Sequence, residues 1–124
     1  MQYLVIALGA SLGANLRFAV STWAAAQFGL LFPWGTLIIN VTGSLVIGFF
    51  LTAISEQTTM SPLWRLFFAT GFLGGYTTFS AFSYECLELL RTGAVAQAGA
   101  YAMASVAGGI GAAFLGFLAA RSIY

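Results

Sequence analysis

Charge is nearly missing from this sequence. It has no lysine, no aspartate and no histidine, and four arginines with three glutamates make up only 6% of its residues. Soluble domains carry about a quarter charged residues, so a water-soluble globule is excluded. A net charge of +1 offers no basic face for nucleic acid and no polybasic patch for lipid headgroups. Without histidine there is no neutral-pH imidazole relay, and Ser80, Ser83 and Cys86 have no base to activate them. This is not an enzyme by any familiar nucleophilic route. A single cysteine, Cys86, excludes an intrachain disulfide and reads as a buried structural thiol.

What is present is apolar: 60% of the residues are hydrophobic. At roughly twenty apolar residues per crossing, 124 residues hold four membrane helices in one integral-membrane domain, 1–124, and little else. The expected crossings are about 3–28, 33–55, 62–90 and 94–123. The first lacks a positive n-region and is too long for a signal-peptide core, so it is expected to be retained. Pro33 is suited to a helix start, and Ser61 reads as an N-cap with Pro62 at the first helical position. The connections are short, so neighbouring helices are antiparallel. Arg65 and Arg121 fall on one side and Arg91 on the other, a weak positive-inside signal. Such a chain can insert both ways, and two copies in opposite orientations can pair about an axis in the membrane plane.

The third segment is the unusual one. Near its midpoint, Gly71-Phe72-Leu73-Gly74-Gly75-Tyr76-Thr77-Thr78-Phe79-Ser80-Ala81-Phe82-Ser83 combines adjacent glycines with hydroxyls. Glycine weakens a helix by about 1 kcal/mol relative to alanine. Non-helical backbone survives in hydrocarbon only inside protein or beside a polar cavity, and such points handle ions or substrates. A break is expected at Gly74 to Thr77. The pairs Gly9/Gly13 and Gly71/Gly75 have the spacing that lets helix backbones approach closely in lipid.

Thr36, Asn40, Ser44 and Gly48 recur at intervals of four and form a polar, small stripe along the second helix. Helix packing explains its hydroxyls; a mid-membrane carboxamide at Asn40 requires partners, and its NH₂ offers two donors to an anion. Tyr101, Ser105 and Gly109 repeat the spacing on the fourth helix. Phe79 and Phe82 lie three apart on one face, and their positive ring edges can stabilise a dehydrated anion loosely enough for conduction. Lipid-facing or core phenylalanine is the plainer reading. Arg17, well inside the first helix, can snorkel to the interface or line a vestibule. Glu85 can pair with an arginine or act as a polar gate. The carbonyls of Gly74 and Thr77, if freed from a helix, suit a monovalent cation such as Na⁺ held between two subunits. With no acidic side chain nearby, a divalent ion is not expected.

Gly9-Ala10-Ser11-Leu12-Gly13-Ala14-Asn15-Leu16-Arg17, Gly35-Thr36-Leu37-Ile38-Ile39-Asn40 and the glycine-hydroxyl run from Gly71 to Glu85 resemble, in order, three motifs of the Fluc (CrcB) family of fluoride channels. The resemblance covers essentially the whole chain. It implies an all-α membrane protein of four transmembrane helices with the third broken, assembled as an antiparallel dual-topology homodimer with two pores. It implies a structural Na⁺ on the Gly74 and Thr77 carbonyls of each subunit, Phe79 and Phe82 beside the fluoride path, Asn40 as the pore-facing amide, and Tyr101 and Ser105 in a hydroxyl track. Ser80, Thr36 and Glu85 are further pore contacts by the same carry-over. The implied activity is passive export of fluoride that entered a microbial cell as hydrogen fluoride, across the cell membrane. Many relatives carry a serine where this chain has Gly109, so the track lacks a rung here, which water would fill.

Two rival readings exist. A small dual-topology multidrug transporter would need a glutamate in the first helix, where this chain has Arg17. A non-transporting assembly subunit would use the polar stripes for packing alone, which leaves the hydroxyls clustered at the glycine run without a purpose.

Overall fold

The computed structural model describes residues 1–57 and 59–124, and every described regular element is helical. Helix α1 spans Gln2–Phe28 and α2 spans Trp34–Glu56. Helix α3 covers 62–76 in three parts: a turn Pro62–Arg65, a π-helical stretch Leu66–Leu73 and a closing turn Gly74–Tyr76. Helix α4 is Phe79–Arg91 and α5 is Val95–Ile123. Three of these, α1, α2 and α5, are long and apolar enough to cross a membrane.

Local chemistry accounts for the ends. Gly29 leaves α1 at φ 79° and Gly93 turns the chain at φ 81°, a conformation open to glycine without a Cβ penalty. Pro33 stands immediately before α2. Ser61 caps α3 by accepting from the Leu63 amide at 3.3 Å, with Pro62 in the first turn where no amide bond is lost.

Helix α1 lies along α3, and α2 along α5. At the α1–α3 contact the small residues interlock. A Cβ on Gly9 would strike the backbone of Phe67 and Phe72, one on Gly13 the carbonyl of Phe72, and one on Gly75 would come within 2.5 Å of the Ala10 carbonyl. In lipid, where water supplies no drive for helix association, such close backbone approach is the main source of attraction. The α2–α5 pair is in register and parallel. Gly108 meets Val41, Gly48 meets Ala113, and Gly116 meets Leu45 and Phe49. Leucines of α1 such as Leu4, Leu8 and Leu12 point outward, as lipid-facing positions should.

The interruption is shorter and later than the Gly74 to Thr77 expected, and only Thr77 is common to both. Gly74–Tyr76 remains helical, and the extended residues are Thr77 (φ −79°, ψ 160°) and Thr78 (φ −154°, ψ 119°). Gly71 and Gly75 serve close packing against α1 rather than unwinding. The chain leaves the helix at Thr77, where side chains can replace the lost backbone bonds.

Candidate anion site at the α3–α4 link

The link begins with Thr77, whose amide and hydroxyl both donate to the Leu73 carbonyl, at 2.9 Å each. Thr78 follows with its peptide groups held by one side chain. Its amide donates to Asn40 Oδ1 at 2.8 Å, and its carbonyl accepts from Asn40 Nδ2 at 2.9 Å. A carboxamide is the smallest side chain that offers a donor and an acceptor side by side, so Asn40 mimics a neighbouring peptide. Thr78 Oγ1 then accepts from the Ala81 amide at 3.2 Å and caps α4. Two residues past Asn40, Thr42 donates to the Ile38 carbonyl at 2.7 Å, which leaves its oxygen to accept from the Tyr76 hydroxyl at 2.9 Å. Helix α2 therefore holds the chain just before the link and within it.

This corrects the reading of Asn40 as a free donor of two protons. One is committed to Thr78, because an unpaired carbonyl in this setting would cost about 1–3 kcal/mol; the other N–H remains for a ligand. The carbonyls of Gly74, Gly75, Tyr76 and Thr77 accept none of the linking backbone bonds among the described residues, as the last carbonyls of any helix must unless capped.

Beside the link lies a cleft of about 350 Å³ lined by Asn40, Ser44, Thr77, Thr78, Phe79, Phe82 and Ser105, among others. Ser105 Oγ is fully buried and has no hydrogen-bond partner among the described residues. The Phe79 and Phe82 rings are 5.7 Å apart between centroids. Phe82 is half-buried, whereas Phe79 is 79% exposed.

A second cleft, about 230 Å³, is lined by Ser21, Phe32, Trp34, Thr36 and Glu85 among others. A polar cluster borders this second cleft. Glu85 accepts from Thr36 through Oε1 and from Tyr101 through Oε2, each at 2.7 Å. Tyr101 is 0% exposed. Its ring meets Phe82 edge-on at 5.2 Å on one side and Phe32 at 5.5 Å on the other. Charge-assisted bonds of this kind are about twice as strong as neutral ones, and they make a carboxylate tolerable without an arginine partner. Tyr101, expected in the hydroxyl track, directs its proton to Glu85.

Not every expected residue joins the site. Arg17 is half-buried in α1 and lines neither cleft. Ser80 is exposed and touches Thr78 Oγ1 at 3.3 Å. The aromatic Phe32, in the turn before α2, was not singled out from sequence; only its neighbourhood to Pro33 hinted at a fixed position. Among the described residues no group of acidic, cysteine and histidine side chains can hold a metal ion.

The family model described as "CrcB-like protein, Camphor Resistance (CrcB)" matches residues 4–117. A Roseiflexus protein named "Fluoride-specific ion channel FluC" is 46% identical over 121 residues, 98% of each chain. Proteins of the same name from Chloroflexus aurantiacus (50% over 113 residues, 91% of this chain and 90% of the relative) and Acidobacterium capsulatum (45% over 123 residues, 99% and 98%) are comparably similar. A match of this length and identity, on a chain with three membrane-spanning helices and a polar cleft at a helix interruption, makes this protein a member of the CrcB family.

Proposed function

We propose that this chain is a fluoride-selective channel that lets fluoride leave a microbial cytoplasm down its gradient, and that α3 and α4 together form a fourth, interrupted crossing. The observation that carries the reading is the cleft itself. It gathers the free Asn40 N–H, the unpartnered Ser105 hydroxyl and two phenylalanine rings at a helix interruption, in a chain whose relatives bear the fluoride-channel name. Hydroxyl and amide donors replace part of the anion's hydration, and ring edges add attraction without the grip of an ammonium group. Arg17 stays apart from this chemistry and acts at most on the vestibule.

From the cleft, the anion passes the Glu85–Thr36–Tyr101 cluster to reach the second cleft. The cluster keeps the carboxylate's lone pairs occupied by hydroxyl protons, which lowers the repulsion an anion meets there. Selectivity follows from size: a small, hard anion gains more from close donors than a larger one does.

The working unit is a homodimer of oppositely oriented copies. Two features support a protein partner over lipid on this face. Helix-end carbonyls at Gly74 to Thr77 cannot face hydrocarbon unpaired without a penalty of several kcal/mol each, and Phe79 is left largely uncovered beside a polar cleft. The same carbonyls, neutral and without a carboxylate nearby, fit a monovalent cation, and Gly74 and Thr77 from both subunits would hold a structural Na⁺. Bound there, it would supply fixed positive charge that raises the local potential for anions. Cross-linking a cysteine placed at Gly74 to its twin would report the pairing, and the absence of any cross-link in membranes would overturn it.

The decisive experiment is anion efflux from liposomes holding the purified protein, with a potassium ionophore to compensate charge. Rapid fluoride release with no chloride release is expected. Release of both anions, or of neither, refutes the reading.

A further inference from the structure

The stripes on α2 and α5 run side by side, parallel and in register, and they match level by level. Thr36 and Tyr101 share the Glu85 carboxylate. One turn on, Asn40 and Ser105 face the same cleft. One turn further, Ser44 meets Gly109: a Cβ built on Gly109 would lie 3.5 Å from Ser44 Oγ, an ordinary contact distance. At the next level, Gly48 is pressed against the backbone of Ala113 and the gap between the helices closes. Polar groups therefore occupy three successive levels, and the third depends on α2 alone.

Resting on the channel reading above, we infer that Ser44 is an anion-binding residue, supplying from α2 the hydroxyl that position 109 of α5 lacks. Three observations converge on it. Ser44 lines the cleft with Asn40, Phe82 and Ser105. The hydroxyls of Thr22, Thr42 and Thr52 turn back to carbonyls one turn earlier, whereas Ser44 makes no such bond among the described residues. The neighbouring Ser105 hydroxyl, fully buried in the same cleft, also has no partner. A buried hydroxyl without a partner is unfavourable, so Ser105 Oγ marks a place completed by something that enters the cleft, and the half-exposed, unbonded Ser44 hydroxyl opens onto that same cleft. Both are short, neutral donors, and a small monovalent anion stripped of part of its water is the ligand they fit. The missing Cβ at Gly109 leaves Ser44 Oγ uncovered on its α5 side, so water need not fill the third level.

The test is a rescue across the helix pair, in full-length protein reconstituted in liposomes. Ser44→Ala is expected to lower fluoride flux by about tenfold, the scale of one hydrogen bond to a charged ligand, and to leave the assembly's size-exclusion profile unchanged. Adding Gly109→Ser to Ser44→Ala restores the hydroxyl from the opposite helix and should bring flux back to within about threefold of wild type. Gly109→Ala in the same background adds volume alone and should not. In the wild-type background, Gly109→Ser places a second hydroxyl at this level and should lower the half-saturating fluoride concentration, a readout that stands even if Ser44→Ala does not assemble. Wild-type flux in Ser44→Ala, equal rescue by Gly109→Ala, or an unmoved half-saturation in Gly109→Ser would each overturn the assignment to Ser44. No fluoride flux from wild-type protein would instead overturn the channel reading on which it rests.

Discussion

Asn40→Asp is the sharpest perturbation available at the link, because it changes one atom's chemistry and almost nothing of its shape. The native carboxamide donates to the Thr78 carbonyl at 2.9 Å and accepts from the Thr78 amide at 2.8 Å. A carboxylate keeps the second bond and loses the first, and it sets an oxygen where an N–H had met the carbonyl. Leaving that carbonyl unpaired costs about 1–3 kcal/mol, and the added charge beside it increases the penalty in a low-dielectric setting. If the cost is relieved by the link relaxing out of its extended conformation, the share of molecules in the native arrangement falls by roughly 5- to 150-fold. The free N–H that faces the cleft disappears as well, replaced by negative charge in an anion's path. Both effects act in the same direction. Fluoride efflux from liposomes should fall by at least tenfold relative to wild type, with Asn40→Gln, which keeps both amide functions at a longer reach, in between. Efflux within a factor of about two of wild type would refute the account of Asn40 as the clamp of Thr78.

Further outcomes follow from the same geometry. Phe82→Ile removes the ring that meets Tyr101 edge-on at 5.2 Å and should strongly reduce fluoride flux while the protein's size-exclusion profile stays unchanged; a changed profile instead would make Phe82 a packing residue. Glu85→Ala strands the hydroxyls of Thr36 and the fully buried Tyr101 at about 1–3 kcal/mol each. Glu85→Gln still offers an acceptor and a donor to the pair, so thermal unfolding in detergent should rank wild type, Gln, then Ala, and equal melting of the two variants would contradict the cluster's role. Gly13→Ala drives a methyl into the Phe72 carbonyl and should destabilise by about 1–3 kcal/mol, as overpacking does; an unchanged melting temperature would show that α1 and α3 can separate freely. Replacing Na⁺ by a large organic cation throughout purification should lower the melting temperature if Gly74 and Thr77 carbonyls hold the ion. Insensitivity to that exchange would remove Na⁺ from the proposal.

Much of this molecule could be read from its residues one at a time. The scarcity of charge and the apolar runs identify a helical membrane protein, because hydrocarbon leaves a single chain few other ways to satisfy its backbone. The turns at Gly29 and Gly93, and the Ser61–Pro62 start, are local chemistry and therefore local in sequence. The hydroxyl-rich run after Gly71 marked where the helix is interrupted and a cleft opens. The tertiary structure decided the rest. Whether Gly71 and Gly75 unwind or pack depends on what lies opposite, and Ala10 and Gly9 on α1 draw them into packing. The chain's departure from the helix at Thr77 and Thr78 is set by Asn40, 38 positions away in sequence, since the peptide groups given up there need an outside partner. Tyr101 and Asn40 each offer donors in isolation, yet the Tyr101 proton goes to Glu85 and one Asn40 proton to Thr78. A side chain's type states what it can offer. Only the packed neighbours decide to whom it is given, because a polar group buried away from water takes the nearest partner the fold presents.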